Sequence, residues 1–405
     1  MPRSERPESS ASFWRCGHCG TPNPRASYLT HCIGCGVPRP APASRPQAAG
    51  SAGSPPPPRP GPRRGRWIKG LSWSYAFVVL ALLALIRWFG DRWWPATVLL
   101  FLPRWLLLAP VPLLALAAAL MRRWSAWAIQ GATTLVILGP VMGLSLPWHQ
   151  LGARPPRGLR VRIMTLNLGA GRIDVKRLAH LIEREHIQVL CFQENRGGTD
   201  PALEALFSAN GWHRDHLGVF ASRFPLIGSL EEDYFSYGGP DLQPLYAWRV
   251  RVRAGPGQEF HLVSFHMPTM RPAFEALAAG DPSDVQRHSD WRWRQAANAM
   301  NFLMGSGETP VLIGGDFNTP PDSPIMEAFR ASYRSGFEEA GWGYGYTRPT
   351  RMPWVRIDYI LASPDWSFTR CWVGPKVGSD HLPLIAEVVL TPPRRPARPS
   401  SAGPG

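Results

Sequence analysis

Acidic residues are nearly absent from the first 160 positions of this 405-residue chain. Residues 1–70 hold two against 11 Lys/Arg, a balance of +9, and residues 71–160 hold one against eight, a balance of +7. Residues 161–405 hold 26 against 25, so almost all of the net charge of +15 lies upstream of them. A generic duplex-DNA binder carries a basic face on its working domain, and the C-terminal segment is too neutral to suit that class. Cysteine is also sparse, with six in all and four of them before residue 36. Cys191 and Cys371 sit in apolar runs and read as inert core residues. Such a set builds no disulfide framework. Large apolar side chains are almost missing from residues 38–66 and 392–405, which are rich in Pro, Ala, Gly, Ser and Arg. Neither stretch can bury a core, and both read as disordered linker and tail. No internal repeat of about 20 to 50 residues is present. By length the chain holds roughly two or three domains.

Tryptophan, by contrast, is abundant. Nine of the 18 fall between residues 67 and 148, and indole concentrates at membrane interfaces. The same region holds three apolar stretches, residues 71–89, 96–120 and 125–147. Each is long enough to cross a bilayer at about 1.5 Å per residue. None carries the polar stripe every third or fourth residue expected of a soluble helical hairpin. Pro103-Arg104 interrupts the second stretch. Residues 96–102 therefore read as an interfacial or re-entrant piece, with Arg104 reaching headgroups. Residues 67–149 are expected to form a membrane region of about three helices. Arg59, Arg63, Arg64, Arg66 and Lys69 precede the first stretch and predict a cytoplasmic N-terminus. Three spans then place the C-terminal segment outside. Arg154, Arg157, Arg160 and Arg162 argue the other way, and two spans would reverse the arrangement. A cleaved signal peptide is not expected, because the first apolar run follows 70 polar residues.

Cys16-Gly-His-Cys19 and Cys32-Ile-Gly-Cys35 form two C-x2-C knuckles. Their spacing lets four thiolates converge on one tetrahedral Zn²⁺. Residues 1–37 thus look like a zinc ribbon. They also resemble the Ran-binding-protein type of finger, with Trp14 two positions before Cys16 and Asn23 after Cys19. The stretch between Asn23 and Cys32 is eight residues where that family has six. A structural module for a protein partner is the expectation, ahead of RNA binding.

Four apolar runs end on polar groups. Residues 161–166 lead to Asn167, residues 189–192 to Gln193-Glu194, residues 262–265 to His266, and Val311-Leu-Ile-Gly-Gly to Asp316-Phe-Asn318. Short apolar runs of this kind read as buried strands. A strand end is a rigid mount for a catalytic group at the mouth of a sheet. Arg356-Ile-Asp358 and Ser379-Asp380-His381 complete the series. Two carboxylates and a histidine at such ends can bind a divalent cation and activate water. Taken singly, His266 reads as a satisfied core histidine and Asn167 as a turn residue.

The ordered set Asn167, Glu194, His266, Asp316, Asn318, Asp358, Asp380, His381 resembles the endonuclease/exonuclease/phosphatase superfamily. That superfamily includes DNase I-like nucleases, inositol polyphosphate phosphatases and neutral sphingomyelinases. The resemblance covers about residues 159–391. It implies an α/β fold in which two β-sheets face each other as a sandwich with helices outside. It also implies Mg²⁺- or Mn²⁺-dependent hydrolysis of a phosphoester at one end of that sandwich. Glu194 is then the first metal ligand, Asn167 a neutral ligand or close support, and Asp380 the completion of the acidic cluster. Asp316 is the general base or a second metal position, and Asn318 orients water and phosphate. His381 donates to a non-bridging oxygen, Asp358 holds the other ring nitrogen, and His266 contacts phosphate. Gly169 stands where many of the nucleases carry an acid, which leaves the number of metals open. The substrate is a lipid headgroup, a small phosphate or a nucleic acid. Near-neutral charge disfavours the last. A membrane-tethered nuclease and a catalytically silent binding module are the alternatives, and the intact set argues against silence. Residues 267–290, expected as a long insertion, and the aromatic loop at 341–348 either contact substrate or pack on the surface.

Overall fold

The computed structural model describes residues 13–24, 30–38, 66–154, 156–169, 173–195, 201–235 and 242–391. It divides into two compact units, Met1–Pro62 and Arg63–Gly405. The expected linker and tail lie, apart from residues 38 and 66, outside the described residues.

In the first unit, β1 (Phe13–Arg15) pairs antiparallel with β2 (Pro22–Pro24). Each cysteine pair closes a tight turn, with Gly20 N–H donating to Cys16 O and Gly36 N–H to Cys32 O, both at 2.9 Å. Asn23 is fully buried. Its amide points at Cys32 Sγ (3.4 Å), and its Oδ1 accepts from Ile33 N–H (2.9 Å). One knuckle is thereby fastened to the other.

The second unit opens with four helices: α1 (Arg66–Phe89), α2 (Trp94–Phe101), α3 (Pro110–Leu120) and α4 (Trp124–Val136). Helices α1, α3 and α4 share a small core of Ile68, Leu114, Ala118 and Ala126. A buried hydrogen bond from Gln130 to Ser72 (3.1 Å) ties α4 to α1. The expected three membrane-length helices are not met. Among the described residues only Trp67–Phe89 is long and apolar enough, or two spans if the bent pair counts as one. The second stretch breaks before Pro103, which lacks an N–H and clashes with a continuing helix, and its two halves lie 85° apart. The third is α-helical for 13 residues and then turns through a π-segment, Ile137–Val141, that contains Pro140.

The remainder is a two-sheet sandwich. The first sheet contains β7 (Leu226–Phe235), β8 (Leu245–Gly255), β9 (Gln258–His266), β10 (Val311–Asp316), β11 (Arg334–Ser335) and β12 (Asp358–Ala362). Its order is β11-β12-β10-β9-β8-β7. The second contains β3 (Leu159–Asn167), β4 (Val189–Gln193), β5 (His213–Arg214), β6 (Phe220–Ser222), β13 (Trp366–Val373) and β14 (Leu384–Leu390), in the order β13-β14-β3-β4-β6-β5. Among the strand pairs of the described residues, only β9/β10 and β3/β4 run parallel. These central strands are buried on both faces, as near-continuous apolar runs require. Between the sheets lies a core that includes Val161, Ile163, Cys191, Leu262, Leu312 and Ile360. Burial pushes the thiol of Cys191 up, and that of Cys371 up to about 12, so both stay inert.

Gly314 controls how closely the sheets approach. A Cβ there would meet Thr165 Cβ of β3 and Cys191 Cβ of β4, both at 3.0 Å. Two helices, α5 (Val175–Arg184) and α6 (Pro201–Ser208), cover the second sheet. The long α8 (Ser283–Met304) covers the first, preceded by α7 (Arg271–Ala278). The expected insertion at 267–290 is therefore largely helical. Trp291 and Trp293 of α8 donate to the backbone carbonyls of Gln243 and Asp91 and are used in packing.

Candidate active site

Register brings the polar strand ends together. Asp316 closes β10 between His266 of β9 and Asp358 of β12, its direct partners in the sheet. Asn167 closes β3 beside Gln193 of β4. Across the gap, Asn167 Nδ2 donates to Asp316 Oδ2 at 2.9 Å and to Glu194 Oε1 at 3.0 Å. A single amide thus joins the two sheets at their mouth. Its Oδ1 accepts from Gly169 N–H (2.8 Å), so the amide bridges the two carboxylates while the following turn holds its oxygen. Gln193 repeats the motif one layer deeper, donating to Ser264 Oγ (2.9 Å) and Thr165 Oγ1 (3.2 Å).

Glu194 adopts φ +55 directly after β4. That conformation is uncommon for a residue with a side chain and turns the carboxylate back toward the cleft. Its Oε1 lies 3.5 Å from His266 Nε2, and the His266 ring stacks on Tyr246. Asn318 is also left-handed, at φ +46. Its backbone N–H donates to Asp316 Oδ1 (2.8 Å), and its amide donates to Met267 O (2.9 Å) and Asp316 Oδ2 (3.2 Å). The turn after β10 therefore grips its own carboxylate.

His381 is 1 % exposed. Its Nδ1 contacts Asp358 Oδ2 at 2.9 Å, and its Nε2 faces Asp316 Oδ2 at 3.7 Å. Burial works against the imidazolium, but the charges of Asp358 and Asp316 outweigh it and raise His381 to about 9. Asp316 is shifted upward, chiefly by burial and secondarily by Asp358, against the opposing pull of His381, His266 and the Asn167 amide. The pair therefore couples a cationic donor to a carboxylate with raised proton affinity, the combination that proton transfer needs.

Among the described residues of the catalytic segment, two groups of side chains could hold a cation: Glu194, His266 and Asp316, and separately Asp316, Asp358 and His381, each with ligand atoms within 4.8 Å of one another. The first suits a divalent metal better. It offers two hard carboxylates, and Glu194 is 23 % exposed, which leaves room for retained waters. In the second, His381 is charged and Asp358 is engaged in holding it. The four thiols of Cys16, Cys19, Cys32 and Cys35 likewise lie within 4.8 Å of one another, a donor set that fits Zn²⁺.

Asp380 departs from expectation. It does not join the carboxylate cluster, because the turn at 379–381 alternates. Ser379 and His381 point inward, while Asp380 points out to Arg348 (2.8 Å) and Arg271 (4.0 Å). Its Oδ1 occupies the space in which a Cβ on residue 169 would lie. The glycine that breaks the expected acidic pattern thus sits at φ +59 with Asp380 Oδ1 in the space beside it. The loop at 341–348 also differs. Tyr346 donates to Met142 O (2.7 Å), and Gly343 pairs with Ser145, so this loop packs on the helical segment and only Arg348 reaches the site.

Sequence reasoning gave no role to Ser379 and did not see what Arg292 holds, whereas Arg348 belongs to a loop it already offered as a substrate contact. Ser379 Oγ donates to Asn167 O (2.6 Å) and accepts from His381 N–H (2.9 Å); its place beside Asp380-His381 was the available signal. Arg348 lies at the end of the aromatic loop. Arg292, wholly buried in α8, donates to Asn318 O (3.0 Å) and to Thr319 Oγ1. Arg104, expected at a membrane interface, is instead only 10 % exposed. It pairs with Asp322 and donates to Val141 O (2.7 Å) and Leu100 O (3.2 Å).

The family model described as "Endonuclease/Exonuclease/phosphatase family" matches residues 164–381, from β3 to His381. A search of curated proteins finds no match to the chain. Among solved structures, an endonuclease/exonuclease/phosphatase family protein from Bacteroides thetaiotaomicron is 16 % identical. It covers 58 % of this chain and 100 % of its own, at a TM-score of 0.44. The mannosyl-6-phosphatase of the same organism is 17 % identical, over 56 % of this chain and 99 % of its own, at 0.41. The human Nocturnin catalytic domain with bound sulfate is 16 % identical, over 59 % of this chain and 100 % of its own, at 0.40. With the family model spanning more than half of the chain and every strand-end residue of the site but the peripheral Asp380 gathered at one mouth, this chain belongs to the endonuclease/exonuclease/phosphatase family.

Proposed function

We propose that the chain is a membrane-anchored, Mg²⁺- or Mn²⁺-dependent phosphoesterase that hydrolyses a phosphodiester or phosphomonoester with an activated water. The observation that carries this reading is the pairing of Asp316, a buried carboxylate shifted upward, with a cationic His381. Asp316 accepts the proton of the attacking water. Asn167 and Asn318 fix its oxygens, so little reorganisation is needed as charge moves. His381, held through Nδ1 by Asp358, presents Nε2–H to a non-bridging phosphoryl oxygen. His266 and Arg348 flank the phosphate. Glu194, at the edge of the group it forms with His266 and Asp316, would hold the metal. When bound, it polarises the phosphoryl oxygen and lowers the pKa of its water.

Anchoring is supported by α1. Its apolar window is only 22 % buried, unlike the core helix of a soluble domain. Eight of the nine tryptophans between residues 67 and 148, all but Trp105, are exposed, as an interfacial belt requires. One span at α1, with basic residues before it, leaves the N-terminus cytoplasmic and the catalytic segment outside. The four N-terminal cysteines bind Zn²⁺ and shape a small module for a protein partner.

The test is turnover of bis(p-nitrophenyl) phosphate by the purified full chain. Activity is expected with Mg²⁺ or Mn²⁺, none in excess EDTA, and a drop of about 10²- to 10⁴-fold in Asp316→Asn. Full activity in EDTA, or an unimpaired Asp316→Asn, rejects the reading.

A further inference from the structure

A groove of about 490 Å³ adjoins the catalytic turn. That volume falls within the range of about 300–1,000 Å³ typical of small-molecule sites. Its apolar lining is Phe101 at the end of α2, Met270, Phe274 and Ala278 around α7, and Val355 and Ile357 of the strap before β12. The rings of Phe101 and Phe274 meet edge to face at 5.4 Å, and Trp354 donates to Phe101 O (3.3 Å). The helical segment therefore supplies one wall of a groove whose other walls belong to the catalytic domain.

Its polar groups are not scattered at random. Asn318 belongs to the turn that holds Asp316. Arg348 and Arg271 converge on Asp380 beside Gly169. Glu275, also polar, is exposed to solvent. One part of the groove thus adjoins the phosphoester chemistry and carries cationic side chains, while the rest is mainly apolar, with Thr269 and Glu275 the polar groups among it. A nucleobase there would have to satisfy its edge from Thr269, Glu275 or solvent, because the other polar lining groups are engaged with Asp380 and Asp316 and an unmet buried polar group is costly. An alkyl chain loses nothing there. Phe101 is followed by Leu102 and, four residues later, by Leu106, 46 % and 50 % exposed. The apolar wall therefore continues onto the outer surface of the helical segment.

We infer that this groove is a subsite for the alkyl chain of an amphiphilic phosphoester, whose phosphate lies at Asn318, Arg348 and the Asp316 site. The assignment rests on the phosphoesterase reading and names its substrate class. The chain can come from a bilayer lipid or from a soluble amphiphile, since the chemistry read by the groove is the same.

The experiment is equilibrium dialysis of butyl, octyl and dodecyl phosphate, below their micellar concentrations, against the full chain held in amphipol. Affinity is expected to rise at least tenfold from butyl to dodecyl. Ala278→Trp, at an exposed helix position, fills the groove and is expected to abolish that gain while butyl phosphate binds as before. Phe274→Gln is a second variant with the same expectation. Affinity independent of chain length, or a gain that survives both substitutions, overturns the inference. Displacement of dodecyl phosphate by phosphatidylglycerol vesicles supports a bilayer source; displacement by monomeric amphiphiles alone supports a soluble one. Dialysis needs no turnover, so an inactive protein that still shows the chain-length gain would count against the phosphoesterase reading and not against the groove.

Discussion

Asp91 and Arg292 form an ion pair at 2.6 Å with neither side chain exposed. Asp91 is the only acid between residues 71 and 160, and it sits in the turn after α1 at φ +53. Arg292 carries the link onward to Asn318 O and Thr319 Oγ1. The helical segment is thereby connected, through one guanidinium, to the turn that positions Asp316. Removing one partner of a buried pair costs about 3–5 kcal/mol, whereas replacing both with apolar residues is often neutral. Asp91→Ala should lower the unfolding temperature sharply. Asp91→Leu with Arg292→Met should recover most of that loss while turnover stays reduced, because the Asn318 carbonyl has lost its donor. Calorimetry and bis(p-nitrophenyl) phosphate turnover on the same samples separate the two effects. A double variant with wild-type turnover shows that the link does not position the site.

Glu194 is the carboxylate of the proposed metal group most accessible to solvent. Glu194→Gln keeps the shape and removes the charge. The Mg²⁺ concentration for half-maximal turnover is expected to rise about 10- to 100-fold, the cost typical of losing a group that tunes a metal site. A metal titration of initial rates reads it, and an unchanged midpoint excludes Glu194 as a ligand.

The fold order was legible because each catalytic strand announces itself. An apolar run ending in Asn167, Glu194, His266 or Asp316 is a local pattern, whereas the register that sets Asp316 beside His266 and Asp358 was not legible, because strands apolar on both faces do not fix a register by burial alone. What holds those residues was not legible. Arg292 and Asp91 are 201 positions apart, and nothing near either one names the other. The three-span expectation failed for a related reason. Apolar composition marks a surface that must leave water, but it does not say whether lipid or protein covers it. Leu100, Ile137 and Val141 are buried within the molecule, and Pro103 and Pro140 break the helices where the chain turns onto the catalytic domain.

His381 is raised to about 9 mainly because Asp358 and Asp316 outweigh the effect of burial. Below that pH the ring is cationic and Nε2 donates; above it the donor toward the cleft is lost. The alkaline limb of kcat/KM should therefore fall near pH 9. Asp358→Asn removes the largest stabilising charge, so the His381 pKa drops and the limb moves to lower pH. A pH profile with bis(p-nitrophenyl) phosphate measures it. A limb that stays in place assigns the ionisation to another group.

One span at α1 with basic residues before it predicts opposite sides for the two ends of the chain. Ser400→Cys should react with an impermeant maleimide in intact cells, and Ser51→Cys only after permeabilisation. Labelling of neither, or of Ser51→Cys alone, removes the extracytoplasmic assignment.

Gly169 and Asp380 compete for one space. Gly169 lies at φ +59, and its missing Cβ leaves room for Asp380 Oδ1. Gly169→Ala should be destabilising by about 1–3 kcal/mol, the usual cost of a left-handed residue with a side chain held by its surroundings. It should also push Asp380 outward and loosen Arg348, weakening substrate binding more than turnover. Part of the stability loss is steric and belongs to the pair. Asp380→Ala removes the colliding carboxylate, so Gly169→Ala should cost less in that background. A double-mutant cycle on unfolding free energy is expected to show a coupling of at least about 0.5 kcal/mol, as residues in contact do. Strict additivity would mean that the backbone conformation alone demands glycine, and that Asp380 fills the space without dictating it.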